Sequence, residues 1–310
     1  MSAVEIEIAE IPPLSPDEAS LIDQHSVLNI ISVLHGELVL LGLGLADDAW
    51  LLRSALARCE TIHGSLHDGE DSLRQAARIG EHEAFILAEV AAALQAHPAQ
   101  AALPETQEAV GNLRSVFAIL GTRARELLAR AHAPDRWIDV PIEDLRQDFR
   151  QVFAAIEKNS RGRYRIIYNL AQQEAADYYV DFAITSDNGR SVTLPILLKD
   201  VMRDLMANAR KYTAPGGTIS AGLYETADTL KFTVQDTGCG IPPDELAAVV
   251  HYGKRGSNVA HLRTMGGGFG LTKAFLVTKQ FGGRFWIRSE LGAGTRIRLE
   301  IPRPAPAATP

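Results

Sequence analysis

The stretch Gly266-Gly267-Gly268-Phe269-Gly270-Leu271 runs into a helix expected from Phe269 to Phe281. Glycines at 266, 268 and 270 can turn consecutive backbone N–H groups toward phosphate oxygens, and the helix N-terminus adds a favourable field. Dinucleotide-binding βαβ units use a similar loop, but there it follows the first strand of the domain. Here no βαβ pattern surrounds the run. It lies near the end of its domain, ahead of two β-prone runs, Arg284–Ser289 and Thr295–Ile301.

Three further segments carry compatible chemistry. Gly292-Ala293-Gly294-Thr295 is a tight turn before the last strand. Asp236-Thr237-Gly238-Cys239-Gly240-Ile241 follows the β-prone Phe232–Gln235. A carboxylate at a strand end can accept a hydrogen bond from an exocyclic amine, and glycines let the backbone approach a flat base. In isolation the same residues read equally as a plain Asp-x-Gly turn. Asp204, Asn208 and Lys211 share one face of a helix expected over Leu194–Tyr212. Oxygen ligands for a hard cation and an ammonium for phosphate suit a magnesium triphosphate, although a solvated helix face carries similar residues.

The chain around these segments divides by texture. Ser15-Pro16-Asp17-Glu18 forms a capping box that opens a helix running to about Gly44, with Leu21, Val27, Leu28, Ile31, Leu34, Leu38 and Leu41 mostly three or four apart. Helices are expected near Asp48–Leu66, Ser72–His97 and Pro104–His132, separated by His67-Asp-Gly-Glu and the linker 98–104. After Trp137 a helix near Ile142–Lys158 precedes β-prone runs at Tyr164–Tyr168, Tyr178–Ile184, Ser191–Leu194, Thr218–Tyr224 and Leu230–Gln235. The fold class is therefore α+β. An extension (1–15) precedes a helical bundle (16–133) with inserted helices at about 46–100; an α/β sandwich (137–302) and a disordered tail (303–310) follow.

With 310 residues, 46% apolar and 22% charged, the chain is long enough for about two ordinary globular domains. A formal charge of -7 argues against general nucleic-acid or anionic-lipid binding. Cys59 and Cys239 fit no metal or redox spacing, and the acidic N-terminus lacks a signal peptide's basic region and apolar core. The most apolar stretch, Leu38–Ala46, is half the length of a membrane span. These features predict a cytoplasmic protein with no membrane span.

In order and spacing the four glycine- and carboxylate-bearing segments resemble the conserved boxes of the GHKL ATPase superfamily, which includes histidine kinases, DNA gyrase, a class of heat-shock chaperones and a mismatch-repair family. The resemblance covers about 137–302. It implies an ATP-binding Bergerat fold, with Asn208 as Mg2+ ligand and Lys211 and the backbone of Gly266, Gly268, Gly270 and Leu271 at the phosphates. It also implies Asp236 at the adenine amine, helped by Gly238, Gly240 and Thr295, and Tyr212 lining the base pocket. Residues 245–265, including Lys254 and Arg255, resemble the mobile lid of that family. Kinase lids often carry paired phenylalanines, whereas this one has Tyr252 and no phenylalanine before Phe269.

The helical region carries a second resemblance. His25-Ser26-Val27-Leu28-Asn29 puts a histidine and an asparagine one turn apart, and is similar to the phosphoacceptor box of two-component histidine kinases. Residues 112–128 resemble the second helix of their dimerisation and phosphotransfer domain. What this implies is a cytoplasmic histidine kinase: ATP phosphorylates His25, Asn29 holds or activates water, and a response-regulator receiver domain takes the phosphoryl group in trans. His35 is the rival acceptor. Such kinases usually have an acidic residue directly after the histidine; here it is Ser26, which makes Asp204 a candidate catalytic carboxylate. A homodimer is expected, with helices 46–100 as a site for a regulatory partner. Alternatives are a histidine phosphotransferase with a degenerate ATP domain, an anti-sigma-type serine kinase and a nucleotide-binding scaffold.

Overall fold

The computed structural model describes residues 3–66, 68–160, 162–261 and 267–304; the side chains of Asp23, His25, Ser26, Ala155 and Asn159 are also outside the described set. Gly266, residues 262–265 of the expected lid and the tail beyond 304 thus lie outside the described residues. Two compact units emerge: Leu14–Pro134, and Met1–Pro13 together with Asp135–Pro310.

The helical unit is built on α1 (Pro16–Ala46) and α6 (Pro104–His132). The expected capping box is present: the Glu18 N–H donates to Ser15 Oγ at 3.3 Å, and the Ser15 N–H donates to Glu18 Oε2 at 2.8 Å. Between these helices run α2 (Arg53–Ser65), α3 (Gly69–Ala77), α4 (Ile79–Ala96) and the single turn α5 (Pro98–Ala101). The expected helix over Ser72–His97 breaks at Arg78, and the expected linker after Pro98 contains a helical turn.

One core joins Leu34, Leu38 and Leu41 of α1 to Leu56, Cys59 and Ile62 of α2, Ile86 and Val90 of α4, and Leu113, Phe117 and Leu120 of α6. The helices expected as an insertion are therefore walls of the bundle. Each must bury its apolar stripe, and this is the shared place to do so. The window Val27–Ala46 of α1 is long and apolar enough by composition to cross a membrane, which the shorter Leu38–Ala46 did not suggest; a third of it is buried within the protein.

The second unit has a seven-stranded sheet in the order β1-β8-β9-β7-β6-β4-β3, beside a two-stranded β2-β5 pair. The strands are β1 (Val4–Ile8), β2 (Trp137–Pro141), β3 (Ile166–Ile167), β4 (Tyr178–Thr185), β5 (Ser191–Pro195), β6 (Thr218–Glu225), β7 (Thr229–Asp236), β8 (Arg284–Glu290) and β9 (Gly294–Pro302). The helices are α7 (Ile142–Asn159), α8 (Leu198–Lys211) and α9 (Gly270–Gln280). They bury Phe149 and Phe153, Leu205 and Met206, and Phe275 against Phe232, Phe285 and Leu299 of the sheet.

Three boundaries differ from expectation. The N-terminal extension contains β1, antiparallel to β8, with Ile6 opposite Ile287 and Ile8 opposite Phe285. Its alternation Val4, Ile6, Ile8 against Glu5, Glu7 is that of a half-buried edge strand. Trp137–Pro141 is a strand where only a change of texture was read. Arg303, expected at the head of a disordered tail, is held by the sheet: its guanidinium meets Glu225 Oε1 at 2.9 Å and its N–H donates to Asp228 O at 2.9 Å.

Candidate functional site

Strand β7 delivers Asp236 to one end of the site. Both Gly238 N (2.8 Å) and Thr295 N (3.2 Å) donate to Asp236 Oδ1. Among the described residues no hydrogen bond to the other carboxylate oxygen, Oδ2, is found. Burial pushes this carboxyl up to about 6, although the two N–H donors pull the other way. The expected support from Thr295 thus comes through its backbone. Its hydroxyl meets Ser289 Oγ at 2.9 Å, and Ser289 Oγ also accepts from Ile241 N at 2.8 Å and donates to Gly294 O at 3.0 Å. Ser289 was not foreseen; nothing in Trp286-Ile-Arg-Ser289 distinguishes it from any inward-facing strand residue.

The neighbouring glycines are required by the protein's own backbone. A β-carbon on Gly238 would lie 2.3 Å from Tyr212 O, and one on Gly240, at φ +69°, 2.1 Å from Glu290 O. Gly294, at φ +108°, would meet Asp236 O at 1.9 Å. These contacts knit the ends of α8, β7 and β9 together, with Cys239 N donating to Tyr212 O at 3.1 Å.

Helix α8 supplies the other side. Asn208 lies against the first turn of α9: its Nδ2 is 2.6 Å from where a Gly270 β-carbon would be. Lys211 is half-buried, and burial followed by the charge of Arg255 lowers its ammonium to about 8. Its Nζ is 5.1 Å from the Tyr212 ring centroid. Leu271 packs on the core of the unit. Asn208 and the start of α9 are thus in contact, with the Lys211 ammonium about one turn further along α8; an amide, a cation and loop N–H groups are the donor set a metal-bound polyphosphate needs.

The expected lid is anchored at its beginning: Leu246, Val249 and Val250 belong to the core, so the segment free of core packing starts later than Glu245. Glu245 Oε2 accepts from Ser257 N at 2.7 Å, and Asn258 Nδ2 donates to Gly240 O at 2.9 Å. Tyr252 stacks on Phe269 with centroids 4.8 Å apart and an interplanar angle of 25°. One tyrosine thus takes an aromatic packing role here. Gly268, at φ +80°, lies on Gly253 and Lys254, where a β-carbon would meet Lys254 O at 3.2 Å. The Lys254 side chain is exposed, and Arg255 acts electrostatically on Lys211 and Tyr212.

Asp204 meets Lys273 Nζ at 3.1 Å, a partner the sequence reading missed. The signal was available: Lys273 interrupts the apolar run of α9, and a charge on a buried helix stripe demands a counter-charge. His25 and Asn29 belong to the helical unit, in α1, and the His25 side chain is outside the described residues. The rival His35 is half-exposed, with Nε2 4.0 Å from Glu60 Oε1.

Residues 193–305 match the family model described as "Histidine kinase-, DNA gyrase B-, and HSP90-like ATPase". The chain is 37% identical over 109 residues to the adaptive-response sensory kinase SasA of Synechococcus elongatus, covering 35% of this chain and 28% of SasA. It is 35% identical over 117 residues to the histidine protein kinase DivJ of Caulobacter vibrioides, covering 36% of this chain and 19% of DivJ. The chain thus spans less than a third of these relatives. Among solved structures, the catalytic domain of the histidine kinase ThkA is 20% identical, with 54% of this chain and 97% of that chain covered and a TM-score of 0.38.

Proposed function

We propose that this chain, whose C-terminal unit is an ATP-binding domain of the histidine kinase-, DNA gyrase B- and HSP90-like family, acts as an ATP-dependent histidine kinase. The observation that carries the reading is that α8 places Asn208 against Gly270 at the start of α9 and ends at Lys211, with the carbonyl of Tyr212 against the loop that follows Asp236. Asp236 Oδ2 accepts the adenine amine; Lys211 and the loop N–H groups neutralise and orient the phosphates. Asn208 offers a side-chain oxygen to Mg2+, which when bound neutralises charge on the β- and γ-phosphates.

A ring nitrogen of His25 attacks the γ-phosphorus, the bond to the bridging oxygen breaks, and ADP leaves with that electron pair. The other ring nitrogen gives its proton to a carboxylate. With Ser26 beside His25, the acceptor assigned is Asp204, one turn before Asn208. Asn29, one turn after His25, positions water for a separate hydrolytic step that releases the phosphoryl group as inorganic phosphate. An aspartate of a separate receiver domain takes the phosphoryl group.

The protein acts as a cytoplasmic homodimer. Dimerisation is supported by Leu40 and Leu43 on α1 and Ile119 on α6, all exposed although the bundle closes its core within one chain. The buried stripe of Leu34, Leu38 and Leu41 supports α1 as a helix of the bundle. Helices α2–α4, with exposed Trp50 and Phe85 nearby, are the surface for a regulatory partner.

The test is incubation with γ-labelled ATP and magnesium, comparing wild type with His25→Gln and Asn208→Ala. Acid-labile label lost in both variants is the expected result. Label retained in His25→Gln overturns the acceptor. Absence of label despite measurable ATP binding favours a phosphotransferase or scaffold.

A further inference from the structure

We propose that Lys273 is a positioning residue for phosphoryl transfer, its buried ammonium holding the Asp204 carboxylate in place beside Asn208. The inference rests on the ATP-dependent reading above.

The starting point is a charge in the wrong environment. Helix α9 buries Thr272, Ala274, Phe275 and Val277, and Lys273 among them is 4% exposed. An ammonium removed from water costs several kcal/mol unless its charge and hydrogen-bond donors are met. Helix α8 meets them twice from one face, with Asp200 Oδ2 at 3.5 Å and Asp204 Oδ2 at 3.1 Å, four residues apart. Asp200 is itself buried and is shared with Arg203 at 3.5 Å. Among the described residues these two carboxylates and two cations balance in formal charge.

Asp200, buried and shared between Lys273 and Arg203, has a purely structural place in this group. Asp204 differs: 28% of its side chain is exposed, and it stands one turn before Asn208. One of its oxygens is tied to Lys273, which restricts the rotamers open to the other. Without Lys273, two like charges at i and i+4 repel, and Asp204 turns toward water.

The same lysine fixes helix against helix. Asp204 meets Lys273 and Asn208 meets Gly270, so the contacts run in opposite sequence directions along the two helices and lie one turn apart. The first turn of α9, which presents the loop N–H groups, is thereby clamped to the turn of α8 that carries Asp204 and Asn208. Lys273 orders the carboxylate and the phosphate loop together while touching neither phosphate nor base.

The test uses the full chain as wild type, Lys273→Met, Lys273→Arg and the double variant Asp200→Asn/Lys273→Met. Affinity is read with a fluorescent ATP analogue, turnover with γ-labelled ATP, and folding by thermal melting. The double variant removes one buried charge of each sign and is therefore expected to fold even where Lys273→Met does not. Its expected signature is a melting point near wild type, nucleotide affinity within about threefold, and kcat lowered at least about tenfold, with partial recovery of kcat in Lys273→Arg. A folded double variant with kcat within about twofold of wild type overturns the inference, as does a loss confined to affinity. Wild-type protein that binds no nucleotide overturns the ATP reading itself, a different result from either.

Discussion

The side-chain amide of Asn208 on α8 occupies the space beside Gly270 on α9, its Nδ2 only 2.6 Å from the position a β-carbon would take. No positive φ is involved at Gly270, so the glycine is needed for clearance and not for backbone conformation. Gly270→Ala is therefore expected to fold with a melting point within a few degrees of wild type while displacing the Asn208 amide. ATP affinity measured by titration calorimetry should fall about tenfold or more, the effect of losing one well-placed polar contact. Unchanged affinity would mean that Asn208 is not a ligand of the nucleotide or its metal.

Gly292 and Gly294 lie in one turn yet predict opposite outcomes. Gly294 has φ +108° and a β-carbon there would lie 1.9 Å from Asp236 O, whereas Gly292 has φ +76° and open space around it. Alanine at 292 costs about 1 kcal/mol, from backbone conformation alone. Alanine at 294 adds a clash with the strand end that carries Asp236, and should cost about 3 kcal/mol or more and release Asp236 from Thr295. Urea denaturation of the two variants separates the cases; equal midpoints would contradict this account of the turn.

The two charges of the site titrate on either side of neutrality. Asp236, raised to about 6 by burial, must be ionised for Oδ2 to accept an amine, and Lys211, lowered to about 8 by burial and Arg255, must be protonated to meet phosphate. ATP affinity is expected to be highest between about 6 and 8 and to fall on both sides. The acid limb should vanish in Asp236→Asn and the alkaline limb in Lys211→Met, a control that separates protein titration from that of ATP.

Stability runs the other way. The raised Asp236 contributes stability below its ordinary 3.8 that is lost as pH rises through about 6, an effect of about 3 kcal/mol. Lys211, lowered, contributes stability above its ordinary 10.5 that is lost as pH falls through about 8. At pH 7 both groups are charged at the expense of the fold. Asp236→Asn, which can still accept from Gly238 and Thr295, should thus melt higher than wild type at pH 8 while binding ATP poorly.

Much of the ATP-binding unit was legible because its chemistry is local in sequence. Asp236 to Gly240 is a short loop at a strand end, and such loops write their backbone needs into glycines, as Gly238 and Gly240 do. What escaped depends on distant partners. Lys273 looks like an interruption of α9 until Asp200 and Asp204 stand beside it. The α3–α4 break at Arg78 was missed although Gly80, two residues on, offers a weak breaker signal. The expected N-terminal extension hid β1, because five residues of alternating Val, Glu and Ile have no hairpin partner nearby; the partner, β8, begins at Arg284.

That long-range pairing predicts which of its two faces matters. On one face of β1, Glu7 accepts from Arg284 Nε at 2.9 Å and Nη2 at 2.5 Å, and Glu5 lies 3.4 Å from Arg296. These pairs are largely solvent-exposed, where screening and side-chain entropy leave little net gain. On the other face Ile8 is 4% exposed and packs into the core over Phe285. Ile8→Ala should lower the stability of the ATP-binding unit by about 2–4 kcal/mol. Glu7→Gln should change it little, and less still at high salt. Denaturation of both variants at two ionic strengths decides the matter: a larger loss in Glu7→Gln would make β1 an electrostatic strap, whereas the expected order makes it a structural edge strand that completes the sheet.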